Sequence, residues 1–453
     1  MGRDARRWSA LFLLGAAGTI AGSSRALTLE ECVAAALARS PALVAADAVR
    51  TAAEARADSM RAQGVPKLSV DAQWRHLAVV PAFKPSPFAP AVEMGDNTNY
   101  SFGPQAQWSV WDSGQRRRAA AGLSHQAAAR AAERDAAENE LRWGVRRAYF
   151  QAMGAAERVR SVAEVLRLAE AQREDIRLRR DAGAASRQDW LQSDAEALGR
   201  RREFSEAQAD LGAALRALFL LTRSPPPDLR RPLPRDVAER RPPDVPAATF
   251  VFESDDPTAL RVRLVDAARR PFNAEAPDLR AADFAARAAR DAAASVRAGR
   301  GPSVQLLARA SRDYPNGPVK EVVQQNTLGA TARWSIFEGG RSLRDAAEQD
   351  ALATAAAARL DQTGEDRRFA WAQARERLAS LTEEEDVQRR LVDRRREIAE
   401  VVYDSYKAGR ASYLEVESAN TTFLNARVQS ARLTVEILTQ LAWIDRWSAP
   451  EVP

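Results

Sequence analysis

The chain has 453 residues, with 67 Lys+Arg against 61 Asp+Glu, two His and one Cys, a length that suits two or three ordinary domains or one elongated one. The lone Cys32 excludes an intramolecular disulfide, and His76 and His125 alone cannot supply a His/Cys zinc set or a proton relay. No metal or other cofactor is expected.

Residues 1–26 read as a secretory signal peptide. Basic Arg3, Arg6 and Arg7 precede an apolar stretch from Trp8 to Ile20, and Ser24-Arg25-Ala26 puts small residues where a signal peptidase reads. The stretch is short of the ~20 residues a spanning helix needs. Cys32 follows Leu29-Glu30-Glu31 instead of a small-residue lipobox, so it does not read as a lipidated N-terminus. Removing the leader takes away four Arg and one Asp, and the net charge falls from +6 to +3. The basic balance then gives no ground for a nucleic-acid partner. No later segment is apolar for ~20 residues without interruption, a test to which β-barrel strands are blind.

A first structural repeat is expected over 27–222. Its opening helix carries a capping box, Thr28 with Glu31, and an apolar face of Leu29, Val33, Ala36 and Leu37. Ser40-Pro41 restarts the helix, since Pro is tolerated in a first turn, and Gly64 and Pro66 end it. The period then changes from 3.6 to 2 over a β-hairpin at 66–112. Leu68, Val70, Ala72 and Trp74 alternate with polar residues, as do Tyr100, Phe102, Ala106, Trp108 and Val110. A long helix over 115–181 follows, about 100 Å at 1.5 Å per residue, and then a return helix over 187–221.

The segment 223–258 reads as a linker, expected to wrap the waist of the long helices. Pro225, Pro226, Pro227, Pro232, Pro234, Pro242, Pro243 and Pro246 preclude a regular helix there. A second repeat is expected over 259–448: a helix, a hairpin at 302–338, a long helix at 341–407 and a return helix at 412–446. Residues 449–453 form a C-terminal tail. The second hairpin alternates Val304, Leu306 and Ala308 in one strand and Leu328, Ala330, Ala332, Trp334 and Ile336 in the other.

The two repeats match at constant offsets. Pro41 to Pro66 faces Pro277 to Pro302 at a shift of 236, and Trp108 to Ser186 faces Trp334 to Ser412 at a shift of 226. Trp108-Ser109-Val110-Trp111-Asp112-Ser113-Gly114 lies opposite Trp334-Ser335-Ile336-Phe337-Glu338-Gly339-Gly340. About seventy residues then match without a gap, as one continuous helix requires, because an insertion would rotate every later side chain off its packing face. The ten residues lost between the two shifts fall in Leu77 to Asn99, where Pro81, Pro85, Pro87, Pro90 and Gly95 mark a loop. Val387, Leu391, Ile398 and Val402 step by 4, 7 and 4, a coiled-coil seam.

Strands of roughly ten residues, apolar on one side, polar on the other and with Trp and Tyr near their ends, fit a barrel between lipid and an aqueous lumen. Four strands cannot close a barrel, for which about eight is the minimum. Three copies supply twelve. Strands in a membrane thus argue for a trimer or a larger ring.

The chain resembles the TolC-type outer-membrane efflux channel family over roughly Leu27 to Ile444, apart from the proline linker. The resemblance is carried by Leu27-Thr28-Leu29-Glu30-Glu31, by the two Trp-Ser strand ends followed by Gly114 and Gly340, and above all by Tyr406 to Val416 (YKAGRASYLEV) with Thr421 to Arg427. It implies a homotrimer in the outer membrane of a Gram-negative bacterium, extending into the periplasm. Taken with the strand count, the expected class is mainly α with transmembrane β: a long α-helical coiled-coil barrel, plus four strands per protomer contributing to a 12-stranded trimeric β-barrel. Its partners would be outer-membrane lipid, a periplasmic adaptor protein and an inner-membrane transporter. Trp108, Trp111, Gly114, Trp334, Phe337 and Gly340 would form the barrel-to-helix junction. Gly183, Ser186, Gly409 and Ser412 would form the adaptor-docking turns at the periplasmic tip.

By the same resemblance, Asp189 and Tyr406 match the pair that ties neighbouring helices shut at the periplasmic gate. The family's gate arginine falls at Ala411, with Arg410 beside it, and the aperture acids match Glu415 and Ser418. The function implied is a passive exit duct of a tripartite efflux or type I secretion system. The sequence leaves the transported substrate open. A periplasmic coiled-coil scaffold without a pore is the alternative, and the Trp-bearing hairpins argue against it. An enzyme is not expected, since Glu383, Glu384 and Glu385 read as a solvated helix face and no acid, base and nucleophile converge.

Overall fold

The computed structural model describes residues 27–84, 86, 88, 90–225, 230–232 and 248–449. The leader expected over 1–26, most of the proline linker and all but the first residue of the C-terminal tail lie outside the described residues. The chain runs α1 (Leu29–Arg39), α2 (Pro41–Ala62), β1 (Lys67–His76), β2 (Ala82–Phe83), β3 (Val92–Glu93), β4 (Thr98–Trp111), α3 (Gln115–Asp181) and α4 (Arg187–Thr222). After β5 (Arg230–Pro232) and β6 (Ala248–Phe250) come α5 (Pro257–Arg269), α6 (Pro277–Ala298), β7 (Ser303–Tyr314), β8 (Val323–Arg333), α7 (Arg341–Lys407) and α8 (Tyr413–Trp447).

Local chemistry sets the helix ends. Thr28 and Glu31 form the capping box of α1, and Ser40 caps α2 with Pro41 in its first turn. The two meet at 46°. No single helix among the described residues is long and apolar enough to cross a membrane. Gly114 and Gly340, at φ +83° and +82°, start α3 and α7 from the left-handed region that glycine enters without a Cβ penalty.

Four of the strands form one antiparallel sheet in the order β1-β4-β7-β8, while β2 pairs with β3 and β5 with β6; each repeat thus gives the main sheet a hairpin, and β4 joins the two by pairing with β7. Gly103 allows the close approach there, since a Cβ on it would lie 2.0 Å from the Ala310 carbonyl oxygen. β8 ends at Arg333, short of the alternation that runs on through Trp334 and Ile336, whereas the matching Trp108 and Val110 lie within β4. The reason is the ladder: β7 begins at Ser303, opposite Arg333, so nothing pairs β8 beyond it, whereas Trp108 to Trp111 still lie opposite Leu306 to Val304, with a bulge between Ser109 and Trp111.

Below the sheet, α3 packs on α2, α4, α6 and α8, and α7 packs on α6 and α8. The main core sits at mid-height. There Val145, Tyr149 and Phe150 of α3 meet Leu211, Leu215 and Leu218 of α4, and Ile437, Leu438 and Leu441 of α8. α1, α5 and Phe252 close it from one side. The fully buried Tyr149 hydroxyl donates to the Leu27 carbonyl at 2.8 Å and accepts from the Asp255 amide at 2.8 Å. That bond tethers the chain on the far side of the linker to the start of α1. Burial, with Glu31 adding, pushes the Cys32 thiol in this core up to about 12 and keeps it protonated.

Candidate functional site

The two ends of the coil carry the chemistry. At the sheet end, register places Leu68 opposite Ala106, Ala72 opposite Phe102 and Trp74 opposite Tyr100. The row continues with Trp108 opposite Leu306, Ala106 opposite Ala308, and Ala308 opposite Leu328. This face is apolar along β1 and β4 and, in β7 and β8, from Val304 to Ala310 and from Leu328 to Ala332; Arg312, Gln324 and Asn326 make it polar beyond that. The other presents Ser69, Gln105, Arg309 and Thr327, with Ser101 donating to Asp313 at 2.6 Å and Arg309 donating to Ser101 at 2.5 Å. Aromatic residues mark both rims: Tyr100 stacks on Tyr314 at 5.0 Å, and Trp108 lies eight residues away, about 26 Å along the strand at ~3.3 Å per residue. That spacing fits an apolar band ~25 Å tall between two aromatic girdles.

At the junction the duplication is structural as well as sequential. The Trp108 indole donates to the Gly64 carbonyl at 2.9 Å, and the Trp334 indole to the Arg300 carbonyl at 3.2 Å. Each ties a strand to the end of the preceding helix. Asp112 and Arg116 brace the first junction at 2.5 Å, with Arg116 also donating to the Gln63 and Ser109 carbonyls. Glu338 and Arg341 stand 3.6 Å apart in the second. Trp111 and Phe337 are exposed beside the left-handed Gly114 and Gly340.

At the opposite end Gly183 and Gly409 turn the chain at φ +77° and +72°. Ser186 and Ser412 then cap α4 and α8. Asp189 closes the capping box of α4: its carboxylate accepts from the Ser186 amide at 3.2 Å, and the Asp189 amide donates to the Ser186 hydroxyl at 3.0 Å. Tyr406 is half-buried beside Tyr403, Tyr413 and Trp190; burial first, and then the Asp189 charge, push its hydroxyl above the usual tyrosine range. No hydrogen bond joins Tyr406 to Asp189 among the described residues. Arg410 and Glu415 are exposed, and neither side chain has a hydrogen bond or ion pair there.

The bond that does join the two coils at this level uses residues the sequence reading did not single out. Tyr403 donates to Asp175 at 2.9 Å, Arg179 pairs with the same carboxylate at 3.1 Å, and Arg179 reaches the Lys407 carbonyl at 3.3 Å. Burial, and then the bond to Asp175, raise the Tyr403 hydroxyl. A signal was present in the repeat: Tyr403 and Tyr406 stand where the first half has Arg177 and Arg180, a swap of aromatic for charged residues at matched positions.

Higher up, a polar layer lies between α3, α4 and α8. The buried Arg200 pairs with Glu196 at 2.6 Å and Glu203 at 2.8 Å and donates to Thr421 at 2.5 Å; Asn420 donates to Gln172 at 3.0 Å. Burial pushes the Glu196 carboxyl above its usual range; Arg200 opposes this, and Glu417 and Glu203 add to it. A carboxyl raised by folding adds stability below its unfolded value near 4.5 and loses that contribution as pH rises through its folded value. Glu196→Gln is therefore expected to leave the melting temperature at pH 7.5 unchanged or higher and to flatten its rise on acidification toward pH 5, since Arg200 keeps Glu203 as a partner. A clear drop at pH 7.5 would show instead that the charge stabilises.

A sheet with one lipid-type face and two open edges, set on a coil of about 100 Å, is the architecture of an outer-membrane channel-tunnel subunit. The chain belongs to the outer membrane efflux protein family, whose model matches residues 32–222 and 272–446. Among solved structures it is similar to the outer-membrane channel OprN (22% identity, 92% of this chain and 89% of that one, TM-score 0.74). It is also similar to CusC (17%, 93% and 92%, 0.74) and to the outer membrane protein VceC of Vibrio cholerae (20%, 92% and 95%, 0.73). No curated protein matches the sequence at significance. Family membership locates the chain in the outer membrane, with the coil extending into the periplasm.

Proposed function

We propose that the protein is the subunit of a homotrimeric, passive exit duct for a tripartite efflux or type I secretion system, opened at its periplasmic tip by an adaptor and an inner-membrane pump. The observation that carries this reading is the open sheet: β1 and β8 each lack a neighbour on one side, and a strand edge in lipid leaves backbone groups unpaired. Pairing β8 of one copy with β1 of the next, three times, closes twelve strands. The coil supports the same ring. α3 and α7 are each 67 residues long, yet α3 has seventeen buried positions and α7 only four. The seam residues Val387, Leu391 and Ile398 are 59%, 40% and 44% exposed, a stripe suited to a neighbouring copy.

Within this reading the turns at Gly183–Ser186 and Gly409–Ser412 dock the adaptor, and Asp189, Tyr406, Arg410 and Glu415 line the gate. Three Glu415 carboxylates around a threefold axis favour cations at the mouth, and with Ser418 in place of a second acid the ring is single. The test is the conductance of purified protein in a planar bilayer. Discrete, cation-preferring steps support the duct, and repeated failure of well-folded protein to insert or conduct supports a pore-less scaffold. Asp189→Ala and Tyr406→Phe are each expected to enlarge the resting conductance; an unchanged conductance in both removes the gate assignment.

A further inference from the structure

At mid-height, α1, α5 and Phe252 lie on the side of α3 and α8 that presents Tyr149, Leu433 and Ile437. In a ring of copies these added elements belong outside, where the circumference is larger. The other side of the same helices then faces the lumen, an orientation that rests on the duct reading above. It carries a groove of about 760 Å³ between α3 and α8, with α4 at its margin.

The floor of the groove is apolar and close-set. A Cβ on Gly154 would lie 2.7 Å from Val435 Cγ2, so the two helices approach over Gly154, and Ala155, Val428 and Ala431 complete the surface. The rim is charged, and unequally so. Arg158 pairs with Asp210, and Glu436 pairs with Arg377 at 2.9 Å. Arg147 and Arg432 line the groove with no ion pair or hydrogen bond among the described residues; Arg147 only overlies the Trp143 ring at 5.4 Å. Each subunit therefore sets two unpaired guanidiniums above an apolar floor. A guanidinium offers a planar fork of donors that fits carboxylate or sulfonate oxygens, and the floor accepts an apolar body.

We propose that this groove is a recognition site on the tunnel wall for amphiphilic organic anions. It gives the duct a preference of its own, over and above what a pump delivers, and it lies well away from the tip acids that favour cations.

The test uses the full mature trimer in a planar bilayer, with naphthalene-2-sulfonate as the anionic probe and 2-naphthalenemethanol as its neutral counterpart. The sulfonate is expected to reduce the current reversibly, and the neutral compound is not. In the Arg147→Gln/Arg432→Gln variant the half-blocking concentration is expected to rise about tenfold, the loss of roughly one charge-assisted contact. Both side chains are exposed, so the unblocked conductance and the heat-resistant trimer should match wild type. A conducting channel blocked equally in the variant, or equally by the neutral compound, overturns the groove assignment and leaves the duct standing. A folded trimer that never conducts removes the duct reading, and the groove assignment with it.

Discussion

Asp175→Ala is expected to raise the resting conductance of the reconstituted channel several-fold, and by more than Asp189→Ala does. Asp175 holds α3 to α7 through the Tyr403 hydroxyl at 2.9 Å, and it orients Arg179, which reaches the Lys407 carbonyl across the same interface. A hydrogen bond to a charged group contributes about 1.5–3 kcal/mol. In the proposed trimer three copies act on one aperture, so their losses combine in a single open–closed equilibrium. Asp189, by contrast, spends its carboxylate on the cap of its own helix, a contribution of about 1 kcal/mol to local order. Tyr403→Phe keeps the ring packing and removes only the hydroxyl, and an intermediate conductance is expected. Single-channel recordings without adaptor provide the comparison, and wild-type conductance in Asp175→Ala would rule out the contact as a closing tie.

Leu328→Arg is expected to abolish heat-resistant trimers and sharply lower the amount of protein recovered in outer membranes, while Thr331→Arg is tolerated. Both residues are exposed on β8, three positions apart and on opposite faces of the sheet. Leu328 is 84% exposed, lies opposite Ala308 and shares its face of β8 with Ala330 and Ala332. Arginine at the bilayer midplane costs about 2–4 kcal/mol on a barrel's outer face, and the cost recurs in each of three copies. Thr331 lies opposite Gln305 on the polar face, where a guanidinium stays hydrated. Equal assembly of the two variants would remove the assignment of the apolar face to lipid.

Much of this architecture was legible in the sequence because it rests on periodicity. Leu68 to Trp74 and Tyr100 to Val110 alternate with period 2 and are strands; the gapless Gln115-to-Asp181 match is one helix. Periodicity could not supply contacts set by the offset between the two coils. Tyr403 and Asp175 are 228 residues apart, and nothing local to either fixes the height at which α3 meets α7. Nor could alternation tell where β8 stops, because Trp334 and Ile336 keep the pattern while β7, which pairs with β8, begins only at Ser303, opposite Arg333. Phe252 was equally hidden. Its place in the core depends on the tether between Tyr149 and Asp255, which no motif announces.

The pairing of β4 with β7 bears on how the molecule is made. Ser101 meets Asp313 across 212 residues of chain, so the first hairpin leaves the ribosome long before the strand that flanks it exists. During that interval its apolar face and both of its edges are uncovered, the condition under which strands associate with wrong partners. Contacts of such long range also form slowly, because loop closure must be completed before any pairing energy is gained. The sheet cannot complete its native pairing until both halves of the chain are present, and it is among the last parts of the subunit to acquire its native neighbours.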